Sequence, residues 1–471
     1  MVFTTPAFLF LFMPLFFLLY YLVPEKMRTS VILLGSWLFY AFWRVDFLLL
    51  LIGVSLGNYL FGRSLYRNRE QNKKARLLLA TAVASNLSIL AYFKYFNFGA
   101  DSLNALLELA GLQPLAYQQV ILPIGISFYI FQSMSYVIDV YRNDAPPADS
   151  FFELATYVTL FPQLIAGPIL RYKDIIDQLK QREHNLHLFG QGFVLFAIGV
   201  CKKVLIADTV APLADVIFAQ SAPTFIESWL GTAAYAIQIY FDFSGYSDMA
   251  LGLGQMMGFH FKKNFDAPYK SASITEFWQR WHISLSRWLR DYLYIPLGGN
   301  RKGSRRTYLN LFLVMFLGGL WHGAAWNFAL WGIWHGLWLM IERKSGLHLH
   351  QESTAKKTLH HVRTLILVGI SWVFFRAGDF NGITSMLSGM FGLNGLAISA
   401  SVSWQLSRFS LFTGAVAVLL IVFEEKYHDD KALNTIREKG MSHAVIYTAL
   451  LGLSVLKILS DSYSPFLYFR F

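Results

Sequence analysis

The sequence is poor in cysteine and in charge, and each shortage excludes something. Its 471 residues include one cysteine, Cys201, so neither an internal disulfide nor a cysteine-rich metal cluster can form. Only 15% of the residues are charged, against about 25% in an ordinary soluble protein. Residues 1–23 contain no Lys or Arg. A cleavable signal peptide needs a basic start and a small-residue cleavage site, so residues 6–23 read as a retained first span. The phosphate-binding pattern G-x-x-x-x-G-K-[ST] is missing, which excludes a P-loop. No internal repeat is visible, which weakens an inverted-repeat transporter reading. No Gly/Ser-rich or Pro-rich linker divides the chain, so residues 1–471 are expected to form a single membrane-embedded domain.

What the chain has in abundance is apolar length. Hydrophobic residues make up 55% of it. They gather in runs near 6–23, 29–43, 46–62, 77–96, 119–141, 188–207, 229–258, 308–341, 363–377, 410–424 and 441–460, most of them near the ~20 residues that cross a bilayer as helix. The ten-residue alternation of a membrane barrel is not found. The expected fold is therefore all-α and polytopic, with about eleven transmembrane helices. The run at 308–341 is too long for one crossing and should bend.

The formal charge of +11 is dispersed among short loops, as positive-inside orientation requires, and does not call for nucleic acid. Six basic residues between Arg63 and Arg76 face one acid, Glu70, whereas Asn97–Gln118 has no Lys or Arg. This places the N-terminus and the 97–118 loop outside and the 63–76 loop inside. Parity is lost beyond Tyr141, because 151–170 is apolar but broken by Pro162 and by Gly167-Pro168. That segment is either a re-entrant piece lining an internal chamber or a kinked span.

Three segments could carry chemistry. In 276–292, EFWQRWHISLSRWLRDY, a helical wheel puts Trp278, Trp281, Leu285, Trp288, Leu289 and Tyr292 on one face and the Arg residues opposite, as in an interfacial helix. His282 falls on the apolar face, where a structural role is the ordinary expectation. In 311–338, Trp321-His322-Gly323 recurs as Trp334-His335-Gly336. On a continuous helix thirteen residues advance about 20 Å and rotate about 220°, so the two imidazoles would share neither a metal nor a cavity. His322 follows twelve uncharged residues, a placement that tends to mark function, and a neutral imidazole there is a potential general base. Gly318, Gly319 and Gly323 would leave room for a thin substrate.

In 235–258, Gln238, Asp242 and Gly245 or Tyr246 share a face, and Tyr246, Ser247 and Asp248 extend the polar stripe. They would line a tunnel or bond helix to helix. Trp321 and Asn327 are further lining candidates. The loop 298–306, GGNRKGSRR, with Asn300, Arg301 and Lys302, could hold phosphates of a soluble donor; orientation explains its charge equally well.

Taken together, PIGISFYIFQSMSYVIDVYR (123–142), FPQLIAGPILRY (161–172), YFDFSGYSDMALGLG (240–254), FWQRWHISLSRWLRDYLYIPLGGNR (277–301) and GGLWHGAAWNFALWGIWHG (318–336) resemble the membrane-bound O-acyltransferase family. The likeness is strongest to its branch that acetylates bacterial polysaccharides. It implies spanning, re-entrant and interfacial helices around a central tunnel, with catalytic histidines at His322 and His282. It also implies acetyl-coenzyme A as donor with no permanently bound cofactor and no metal, and an inner-membrane location. The partners it implies are a periplasmic acetyltransferase, a polysaccharide synthesis and export complex, and membrane lipid. Alginate leads as the polymer and cellulose follows. A covalent acetyl-cysteine would have only Cys201, which lies in none of the histidine segments; an acetylated serine stays open. The rival reading is a transporter or flippase without group transfer. Within the family, D-alanyl transfer or fatty acylation of a protein are alternatives.

Overall fold

The computed structural model describes residues 1–346, 354–424, 441–460 and 466–467. It is all-helical, with no strand among the described residues. Three helices have both the length and the apolar content to cross a bilayer, Val45–Arg67, Asn72–Leu109 and Lys356–Arg376. Shorter apolar helices cover Ala7–Leu22, Arg408–Phe423 and Val445–Ser460. Large apolar side chains stand on the outside: Leu22, Leu49, Leu77, Phe412 and Phe423 are all more exposed than buried. In water such a surface would aggregate, whereas in a membrane it is the solvated face.

The chain divides into two compact units. The first comprises Met1–Gly192 with Leu253–Phe261. Its core is aromatic, with Phe161 packing edge-on against Phe16 at 5.1 Å and Phe12 at 5.5 Å. Helices Val45–Arg67 and Asn72–Leu90 are joined by a reciprocal amide pair, Asn58 and Asn86, at 2.8 and 3.1 Å. Apolar packing alone is a weak glue between helices in lipid, so such buried polar pairs fix their register.

One expectation for this unit changes, and the break expected in 151–170 is seen. The 97–118 loop is helical as far as Leu109, because the Asn72 helix continues through a π-helical stretch at Ala91–Tyr95. The segment 151–170 is a helix ending at Thr159, a four-residue turn at Phe161–Leu164 and irregular chain beyond. Pro162 sits in the first turn of that short piece, where its missing N–H costs nothing. Its backbone is buried in protein, the condition under which non-helical chain survives at membrane depth.

The second unit comprises Phe193–Gly252 with Lys262–Phe471. Its centre is a helical hairpin, Gly303–His322 and Trp326–Ser345. The long 308–341 run thus bends as expected, at Gly323–Ala325. The arms approach closely because they meet at glycines. A Cβ on Gly319 would lie 2.3 Å from the Phe328 carbonyl oxygen, and one on Gly332 would lie 2.5 Å from that of Met315. The room expected for substrate beside Gly319 is therefore filled by the other arm. Beside Gly323 it is filled by the Phe328 ring, and Leu289 stands 3.4 Å from where a Gly318 Cβ would be.

Candidate active site

The segment 276–292 is not one interfacial helix. It forms Ile274–Arg280 and Ile283–Leu289, followed by a π-helical turn at Arg290–Tyr294. At the break His282 adopts φ +45°, ψ +53°, a left-handed conformation that an L-residue with a Cβ rarely holds without support. Arg287 and Arg290 are exposed as the wheel predicts. Trp278, Trp281 and Trp288, however, are buried within the protein rather than laid on lipid. The apolar face is a core face, a distinction that periodicity cannot make.

The first of these helices is anchored firmly. Ser273 caps it by accepting the Glu276 N–H, while Glu276 reaches back to accept that of Ala272, just before the cap. Glu342, from the returning arm of the hairpin, is buried and accepts the N–H groups of Ile274 and Thr275 at 2.7 and 2.9 Å. It thereby satisfies donors that a helix start leaves over. The clamp seats Trp278 on His335, the indole N–H donating to Nδ1 over 3.3 Å. An indole only donates, so neutral His335 carries its proton on Nε2.

His322 ends the first arm of the hairpin and is buried in an aromatic cage. Trp331 lies edge-on at 5.0 Å, Trp321 at 5.1 Å and Phe375 at 5.3 Å. The His282 ring is 6.4 Å from it, centroid to centroid. His282 in turn packs against Phe243 at 4.7 Å and Trp321 at 6.2 Å. Because the helix breaks after His322, the two tryptophan-histidine-glycine motifs are not held apart by helix length. His322 and His335 both pack on Trp331, His335 at 4.8 Å. The fold thus brings together His282, His322 and Trp321. Among the described residues no three metal-ligating side chains gather.

Other candidates lie elsewhere. Asp242 is in a buried ion pair with Lys203 at 2.9 Å and accepts the Leu467 N–H at 3.0 Å. Lys203, in a π-helical turn at Lys202–Ala207, also pairs with Asp208, which begins the next helix. Asp248 pairs with Lys202 at 2.7 Å, and Tyr246 packs edge-on against Phe466 at 4.9 Å. Asn327 donates to the Ala377 carbonyl over 3.1 Å. Asn300, Arg301 and Lys302 are exposed at the far end of the His322 helix, about 30 Å away along its axis. The Cys201 thiol receives a weak bond from Ser454 at 3.5 Å.

The sequence reading missed Asn264. This buried side chain accepts hydrogen bonds from Ser284 and lies 3.3 Å from Nδ1 of His282. It sits in an irregular stretch where no period singles it out.

Comparison with known proteins gives the family. The profile of the membrane-bound O-acyltransferase family matches residues 32–386. The chain belongs to the membrane-bound O-acyltransferase family. All three histidines lie inside the matched region. Among similar proteins, one named "probable alginate O-acetylase" from Pseudomonas putida is 48% identical over the whole of both chains. A protein of the same name from Pseudomonas aeruginosa is 44% identical, again over the whole of both. A peptidoglycan O-acetyltransferase of Helicobacter pylori is 35% identical over all of this chain and 98% of its own. As an O-acyltransferase of this family, the chain is a membrane enzyme.

Proposed function

We propose that this enzyme takes an acetyl group from cytoplasmic acetyl-coenzyme A and passes it across the bacterial inner membrane for O-acetylation of an exopolysaccharide. Relatives named for alginate match along the full length, which favours alginate as the polymer; cellulose is the alternative. The observation that carries the reaction type is the burial of His282 and His322 side by side, 6.4 Å between ring centroids.

In the reaction, His322 takes the proton of the acceptor hydroxyl as its oxygen attacks the thioester carbonyl carbon. The C–S bond breaks, and the leaving thiolate takes the proton back from the imidazolium. His282 either orients the acceptor or stabilises charge on the carbonyl oxygen. To act as a base His322 must be neutral when the acceptor hydroxyl arrives.

We take residues 1–471 as one acyltransferase domain with about eleven crossings around a narrow tunnel. The ion-paired Asp242 and Asp248, with Tyr246, suit its supporting wall, and Trp321 and Asn327 its lining. Asn300, Arg301 and Lys302 suit a first docking point for donor phosphates, since they stand too far from His322 to hold the reacting end. The acetyl group would be received by a periplasmic acetyltransferase within the polysaccharide synthesis and export complex.

Purified enzyme in lipid vesicles, given acetyl-labelled coenzyme A and an acceptor, tests this. His322→Ala is expected to lose on the order of 10²–10⁴ in rate while remaining folded. Label crossing the membrane unattached and at an unchanged rate in that variant would instead establish a transporter.

A further inference from the structure

The surroundings of His282 fix which of its nitrogens carries the proton. The Asn264 side-chain oxygen receives the Ser284 backbone N–H at 3.1 Å and the Ser284 hydroxyl at 2.8 Å. A backbone N–H can only donate, so the atom facing it must be the amide oxygen, and the Asn264 amide has one permitted orientation. That same oxygen lies 3.3 Å from Nδ1 of His282, and the Ser284 hydroxyl, whose proton goes to the Asn264 oxygen at 2.8 Å and which can therefore only accept from the ring, lies 3.5 Å from the same nitrogen. An amide oxygen cannot donate, so a neutral His282 bonded to it holds its proton on Nδ1 and presents a lone pair at Nε2.

The backbone of Asn264 acts in the same direction. Its carbonyl accepts the Ile283 N–H at 2.9 Å, immediately after the left-handed turn at His282. One residue thus grips both the strained backbone and the ring. His335 is the opposite case: its Nδ1 accepts from Trp278, so its proton sits on Nε2. The two histidines that flank the His322 cage carry opposite tautomers.

We infer that Asn264 is a positioning residue that makes His282 a hydrogen-bond acceptor at Nε2, so that His282 aligns the acceptor hydroxyl and does not stabilise the carbonyl oxygen. A neutral nitrogen with a lone pair has no proton to offer a developing oxyanion. This rests on the reading of His282 as part of the reaction site and decides between its two roles.

Solid-state NMR of ¹⁵N-histidine-labelled enzyme in lipid reads the tautomer directly, with the His282 signal identified by its loss in His282→Gln. The expected result is protonated Nδ1 in the wild type and a mixed or reversed tautomer in Asn264→Ala. Kinetically, Asn264→Ala should raise the acceptor KM or lower the acceptor kcat/KM on the order of 10–100-fold, the scale seen when orienting partners of ligating histidines are removed. The donor KM should be unchanged, and Asn264→Asp, which keeps an acceptor oxygen, should retain most of the activity. Protonated Nε2 in the wild type overturns the inference, whether or not the Ala variant folds. So does an Ala variant with wild-type tautomer and kinetics. Full activity in His282→Ala would instead remove His282 from the reaction and leave the tautomer assignment standing.

Discussion

Trp278 donates its indole N–H to Nδ1 of His335 across 3.3 Å, tying the helix before the His282 break to the returning arm of the hairpin. On this ground we read His335 as a structural histidine, although it shares a tryptophan-histidine-glycine motif with His322. Trp278→Phe would leave a buried imidazole nitrogen without its donor, at about 1–3 kcal/mol. The expected outcome is a lower thermal midpoint in detergent with acetyl transfer per folded molecule nearly unchanged. A variant as stable as the wild type but inactive would place Trp278 in the chemistry.

The two motifs should respond differently to the same change. His335→Ala is expected to lose stability through the cavity it opens, with a cost of a few kcal/mol, but to retain measurable turnover in the molecules that fold. His322→Ala should fold and not turn over. Single-turnover rates on size-exclusion-purified protein distinguish the two, and equal behaviour would contradict the division of roles.

Lys203 and Asp242 form a buried pair at 2.9 Å. Asp242→Ala removes one of the carboxylates paired with Lys203 and the acceptor of the Leu467 N–H while Asp208 stays in place, at a cost of about 1–3 kcal/mol. Replacing all three members, Lys203→Met with Asp242→Leu and Asp208→Asn, should recover much of that loss. If the triple variant is no better than Asp242→Ala in yield and thermal midpoint, the Asp242 carboxylate has a duty beyond pairing.

Gly319 has no room for a methyl group, since its Cβ would meet the backbone oxygen of Phe328 at 2.3 Å. Backbone cannot swing aside as a flexible side chain can. Gly319→Ala should therefore spread the hairpin at a cost of about 1–3 kcal/mol or more and displace the His322 cage, visible as a fall in both folded yield and rate. Gly53→Ala, where a Cβ meets nothing within 4 Å, is the matched control and should be silent.

His184 lies between helices, its Nε2 2.8 Å from the Tyr20 hydroxyl. Burial first, then the Arg28 and Arg182 guanidiniums, lower its pKa below the ordinary histidine value. The unfolded chain therefore takes up this proton first as pH falls, so the contribution is complete above about pH 6.5 and is lost below it. The thermal midpoint should drop between about pH 7.5 and pH 5, and His184→Gln should reduce that drop. An undiminished drop in the variant would assign the effect to other groups.

Much of this was legible in the residues. Apolar runs gave an all-helical membrane protein because crossing lipid demands length and internally bonded backbone, both of which are written locally. The bend inside 308–341 was legible from length alone. His322 stood out because an imidazole after twelve uncharged residues is unusual. Other readings failed at breaks. The wheel over 276–292 assumed a continuous helix, and so put His282 in line with the tryptophans and the tryptophans on lipid. Continuity was likewise the premise that kept His322 and His335 apart.

The sequence by itself determined the class of the protein, its family and the two histidines worth watching, because composition, run length and motif order survive without coordinates. Only the tertiary structure decided that Asn264 holds His282, that Trp331 joins His322 to His335, and that Asp242 belongs to Lys203. Those relationships join residues from separate segments at distances of a few ångströms. They are fixed by where helices break and cross, which depends on packing and not on any local pattern.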